Sequence, residues 1–99
     1  MNIDNQAYLA VISIEFLIPE SRSLKTKRKI TKSLIDRIRN KYNASVSEIG
    51  YLDKWQRSVI GISMISNNRQ LIEKGYASIE QVFREVSEID LVAIHIEWI

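Results

Sequence analysis

Hydrophobic residues alternate with polar or small ones at both ends of the chain and recur with a helical period twice in between. The stretch AYLAVISIEFLIP, residues 7–19, is rich in β-branched and aromatic side chains and stops at a proline, which predicts a strand. Strand side chains point alternately to opposite faces. Ala10, Ile12, Ile14 and Phe16 therefore share one face, and Val11, Ser13, Glu15 and Leu17 share the other. The second face is the more polar, so one face is expected to pack on helices and the other to be less protected. After a loop at 19–23, Ser23 is a predicted helix N-cap. At about 100° per residue, Leu24, Ile30, Leu34, Ile35, Ile38 and Tyr42 fall in one arc. Lys25, Arg28, Lys32 and Arg39 cluster on the opposite side, with Lys29 and Asp36 at the edge of the cluster. Lys27 is the exception, because its angle lies inside the apolar arc; it is expected to snorkel from there over the sheet edge.

Residues 44–50, ASVSEIG, are small and polar enough to predict an edge strand. A short connection leads to a second long strand over residues 55–66, with Ile60, Ile62 and Met64 on one face and Arg57, Val59, Gly61 and Ser63 on the other. So short a link joins antiparallel neighbours, hence a hairpin. Asn67 and Asn68 are both able to cap the next helix, whose stripe is Leu71, Ile72, Ile79, Val82, Phe83 and Val86. Gly75 sits inside it at a cost of about 1 kcal/mol against alanine. Residues 90–99 alternate again, with Val92, Ile94, Ile96 and Trp98 on one face and Ala93, His95 and Glu97 on the other. The order βαββαβ with right-handed crossovers predicts an α+β, ferredoxin-like sandwich: a four-stranded antiparallel sheet with two helices on one face.

Ninety-nine residues fit one domain, residues 1–99, with 1–6 expected as a flexible start. The chain has no cysteine, which removes disulfides, cysteine-ligated metals and thiol catalysis and makes an intracellular setting the expectation. The N-terminus MNIDNQ lacks the pattern of a signal peptide, and no apolar run approaches the ~18 residues that span a bilayer. A cytoplasmic protein without membrane contact is expected. The net charge of +2 implies little, but its distribution is uneven. Residues 22–41 carry nine basic side chains against one acid, a net +8, while residues 69–99 carry three against six, a net −3.

Taken together, SLKTKR at 23–28, NASVSEIG at 43–50, DKWQRSVIGIS at 53–63, SNN at 66–68 and EW at 97–98 resemble the YlxP-like family of small bacterial proteins of unknown function. The resemblance covers essentially the whole chain in the same order. It implies a ferredoxin-like fold, which the periodicity reaches separately. It also implies a link to RNA or ribosomes, because the family's genes often lie near those for transcription and translation factors, including ribosome-binding factor A. Many members have aspartate where Asn68 stands here; either residue caps a helix. The family offers no catalytic residues to carry over.

The basic helix is the first candidate for chemistry. Lys25, Arg28, Lys32 and Arg39 are able to neutralise phosphates along a nucleic-acid backbone, with Arg22 and Lys29 at the rim. The plainer reading is a solvated outer face, although such faces usually mix signs and this one barely does. The more polar sheet face offers no aromatic residue for base stacking of the RRM type. Its apolar members Leu9, Val11, Leu17 and Val59 suit pairing with a second copy, through the sheet face or an edge strand. His95, with Glu15 and Glu97, is a thin candidate for metal or acid–base work, since a metal site needs three or four placed ligands. Trp55 is read either as a cap on the end of the core or as a stacking platform for a base or partner side chain. The three glycines are isolated, so no phosphate-binding glycine loop is present, and no cofactor is expected. The leading expectation is a non-enzymatic protein that binds RNA or a ribosomal surface through Arg22, Lys25, Arg28, Lys32 and Arg39, without catalytic, cofactor or metal residues. The alternative is a structural or regulatory homodimer that recognises a protein, its basic helix merely solvated.

Overall fold

Six elements follow one another in a computed structural model that describes residues 7–99: β1 (Tyr8–Leu17), α1 (Leu24–Lys41), β2 (Ala44–Gly50), β3 (Arg57–Ser66), α2 (Arg69–Glu85) and β4 (Asp90–Trp98). The start expected to be flexible, residues 1–6, lies outside the described residues. The strands form one antiparallel sheet in the order β2-β3-β1-β4, the ferredoxin-like arrangement. β2 and β4 are its edges.

Both helices start where the capping chemistry directs. The Ser23 hydroxyl accepts from the Thr26 amide at 3.0 Å, and the Asn68 side chain accepts from the Gln70 amide at 3.0 Å. Leu34 and Ile38 of α1 and Ile72, Ile79, Val82 and Phe83 of α2 bury against Ala10, Ile12, Ile14 and Phe16 of β1 and Ile60 and Ile62 of β3. The rings of Phe16 and Phe83 meet at 5.6 Å, tilted by 53°. Gly75 is explained by packing: a Cβ there would come within 2.8 Å of the Met64 methyl, so its absence lets β3 approach α2 closely.

Three local expectations change. In β4 the register shifts at Glu15/Phe16, so that Glu15 pairs with Ala93 but Phe16 pairs with Leu91. Val92 is the extra residue of a bulge and is exposed, and Leu91 takes its place against the core. Alternation read through residue 92 cannot reveal this, because a bulge inverts the face beyond it. Leu71, expected in the helical stripe, is 56% exposed, because the buried face of α2 is centred on Ile72, Ile79 and Phe83. The third change concerns Lys27. It does not snorkel to the surface but is fully buried, on the same face of α1 as Thr31, Leu34 and Ile38.

Candidate nucleic-acid interface

The outer surface of α1 separates into free cations and committed ones. Lys25, Arg28, Lys29 and Arg37 are exposed and carry no hydrogen bond or ion pair within the chain, as judged among the described residues. Lys32 is exposed but pairs with Asp36 at 2.6 Å, one helical turn on. Arg39 donates to the Val46 carbonyl of the edge strand at 2.7 Å, which uses part of its five-donor fork. Arg22 lies in the β1–α1 loop, where it donates to the carbonyls of Pro19 and Ser21. The basic stripe does not point straight away from the core. Arg28, Lys32 and Arg39 line a groove between α1 and β2 of about 370 Å³, together with Ile35 and Ser47.

The surface of α2 is the contrast. Arg69 pairs with Glu73 and Arg84 with Glu80, each at i,i+4, the mixed-sign pattern of a solvated helix. The two helices carry different surfaces on one scaffold.

Beneath the start of α1 is a buried polar cluster that sequence reasoning missed. The Lys27 ammonium lies 2.9 Å from a Glu48 carboxylate oxygen and also donates to the Tyr51 carbonyl. Ser58, itself buried, donates to the same Glu48 oxygen at 2.6 Å. A lysine inside the apolar arc of α1 was the available signal. Its partner was not legible, because Glu48 lies on another element.

Tyr51 opens the β2–β3 loop with φ 56, in the left-handed region that a bulky residue seldom adopts. The Arg57 guanidinium sits 4.4 Å over its ring and pairs with Glu15; these hydrogen bonds to Glu15 hold the guanidinium above its ordinary pKa, against a smaller opposing effect of burial. Trp55 does not cap the core: it is 53% exposed on this loop.

The other sheet face is open. His95 lies across from Ser13, Glu97 across from Val11, and Glu15 is taken by Arg57. Among the described residues, no three histidine or acidic side chains are placed to hold a metal. No helix is long and apolar enough to cross a membrane.

The family described as "Protein of unknown function (DUF503)" matches residues 9–96. The chain belongs to this family. It is similar to a Bacillus subtilis (strain 168) protein described as "Uncharacterized protein YlxP", at 38% identity over 84 residues, 85% of this chain and 91% of that relative. The family match runs from β1 into β4 and so takes in α1 and the β2–β3 loop.

Proposed function

We propose that this protein is a non-enzymatic, cytoplasmic RNA- or ribosome-associated protein that meets phosphates with the basic surface of α1 and the loop before it. The observation that carries the reading is the contrast between the helices: α2 sets three acids against its three cations and pairs Arg69 and Arg84 with two of them, whereas α1 has the single acid Asp36, taken by Lys32, and leaves Lys25, Arg28, Lys29 and Arg37 unneutralised. A helix that needs only solubility gains from mixed signs, and a one-sign surface repels itself. Such a surface is favourable when polyanion phosphates replace its counterions. Arg28 and Lys32 stand at its centre, Arg22 and Lys25 at its start, and Arg39 contributes charge beside β2.

The test is fluorescence anisotropy with labelled single-stranded RNA at several salt concentrations. Binding should be tight at low salt and weaken with a slope of about −0.7 in log K per phosphate contact, so that three or four contacts give about −2 to −3. Absence of binding at low salt, where the screening length is longest, would sink the reading.

A second reading rests on the open sheet face. Leu9 sits between Ile65 of β3 and Ile99, and Val11, Val59 and Leu17 add apolar surface. This face suits a second copy of the chain, with the protein acting as a dimer that recognises another protein. Sedimentation at micromolar concentration should then show a dimer that Leu9→Lys dissociates; a monomer at that concentration counts against it.

A further inference from the structure

The β2–β3 loop is held rigidly in a shape that leaves aromatic side chains in water. Tyr51 is strained, and the strain is sustained by the buried Lys27, which donates to its carbonyl, and by Arg57 over its ring. Gln56 ties the loop to the β1–α1 loop through the carbonyls of Pro19 and Ser21, at 3.2 and 3.0 Å. Trp55 at 53% and Leu52 at 56% exposure leave about half of their apolar surface in water in this arrangement. Beside them is an open cleft of about 760 Å³, lined by Leu17, Arg22, Tyr51, Lys54, Trp55 and Arg57 among others. Its walls join flat apolar surfaces to the cations Arg22 and Lys54, with Arg57 already paired to Glu15 and Asp53 the one acid on the lining. That combination suits a flat aromatic ring attached to negative charge. Arg22 belongs both to this cleft and to the basic entry of α1, so the two surfaces are continuous.

We propose that the cleft takes one unstacked base of a single-stranded RNA, with Trp55 as the stacking platform and Arg22 and Lys54 on the adjoining phosphates. This inference rests on the RNA reading above and assigns it a base-binding site. The open sheet face, where RRM-type proteins stack bases, has no aromatic on its central strands β1 and β3, because Tyr8 and Phe16 lie on the face that packs on the helices. Stacking has moved to the loop. It is tolerant of sequence, because every base has a π-face.

The experiment uses the full chain, ¹⁵N-labelled, with a short oligoadenylate at low salt, alongside an abasic oligonucleotide of equal length and charge and an acidic peptide containing one tryptophan. The Trp55 indole N–H and the amides of the 51–57 loop should shift with oligoadenylate. Trp55→Ala should weaken its binding about tenfold, Trp55→Phe should retain most of it, and the abasic strand should bind both wild type and Trp55→Ala equally weakly. Unchanged affinity of Trp55→Ala, with shifts confined to α1, overturns the cleft site and leaves the RNA reading standing. No RNA binding by the wild type overturns both. Loop shifts with the acidic peptide but not with RNA overturn the base site in favour of a protein partner. Trp55 is half exposed, so its removal leaves the core intact, and far-UV circular dichroism of each variant checks this.

Discussion

Lys27→Ala should destabilise the domain by about 3–5 kcal/mol, the usual cost of removing one partner from a buried ion pair. That is a large share of the roughly 5–15 kcal/mol that holds a small domain folded. The ammonium sits on the face of α1 that packs on the sheet, with a Glu48 oxygen at 2.9 Å and the Tyr51 carbonyl as its partners. Without it, Glu48, whose side chain is only 17% exposed in the intact protein, keeps only the Ser58 hydroxyl and has no countercharge. The Tyr51 carbonyl also loses one of its two donors and keeps only the Lys54 amide at 3.0 Å, so the strained residue has less to hold it. Lys27→Met combined with Glu48→Gln should recover much of the loss, because the volume is refilled, no charge is stranded, and glutamine still accepts from Ser58. Urea denaturation reads both effects as shifts in midpoint at constant slope. Faster amide exchange in the 51–56 loop of Lys27→Ala should accompany the loss. A cost below about 1 kcal/mol would mean that the pair is not what fixes the loop.

The second large effect concerns binding. Arg28→Glu with Lys32→Glu should weaken RNA affinity by about a hundredfold or more at low salt and flatten the salt slope by about 1.4, two contacts at about 0.7 each. The two changes shift the charge of the groove between α1 and β2 by four units. Stability should change little. Both side chains are exposed, and Lys32 gives up only its surface pair with Asp36; acids then stand at 28, 32 and 36, two repulsive i,i+4 pairs at a few tenths of a kcal/mol each. The same denaturation curves therefore separate lost binding from lost folding. Unaltered affinity would remove α1 from the interface and leave its charge as a solvated surface.

The two experiments address residues that look alike in the sequence. Lys27 and Arg28 are neighbours in a run of basic side chains, yet one is fully buried and the other is free. Composition counts both toward the +8 of residues 22–41, whereas the outer surface of α1 excludes Lys27, and Asp36 neutralises Lys32 there. The contrast with α2 survives this correction, because the free cations of α1 outnumber its one acid.

The order of elements, the Ser23 cap of α1, the core faces of β1 and β3 and the β2–β3 hairpin were legible in the sequence, which left the cap of α2 between Asn67 and Asn68. Each of these follows from interactions within a few residues: alternation at period two, recurrence at 3.6, and a capping side chain next to the amide it satisfies. Only the tertiary structure decided that Leu91 and not Val92 meets the core, since a bulge is set by how β4 registers on β1. Only it placed Glu48 beside Lys27, committed Arg39 to the Val46 carbonyl, and left Trp55 in water over a cleft. Those outcomes depend on partners from other elements, and a pattern read along one segment carries no information about what the next segment brings to its side.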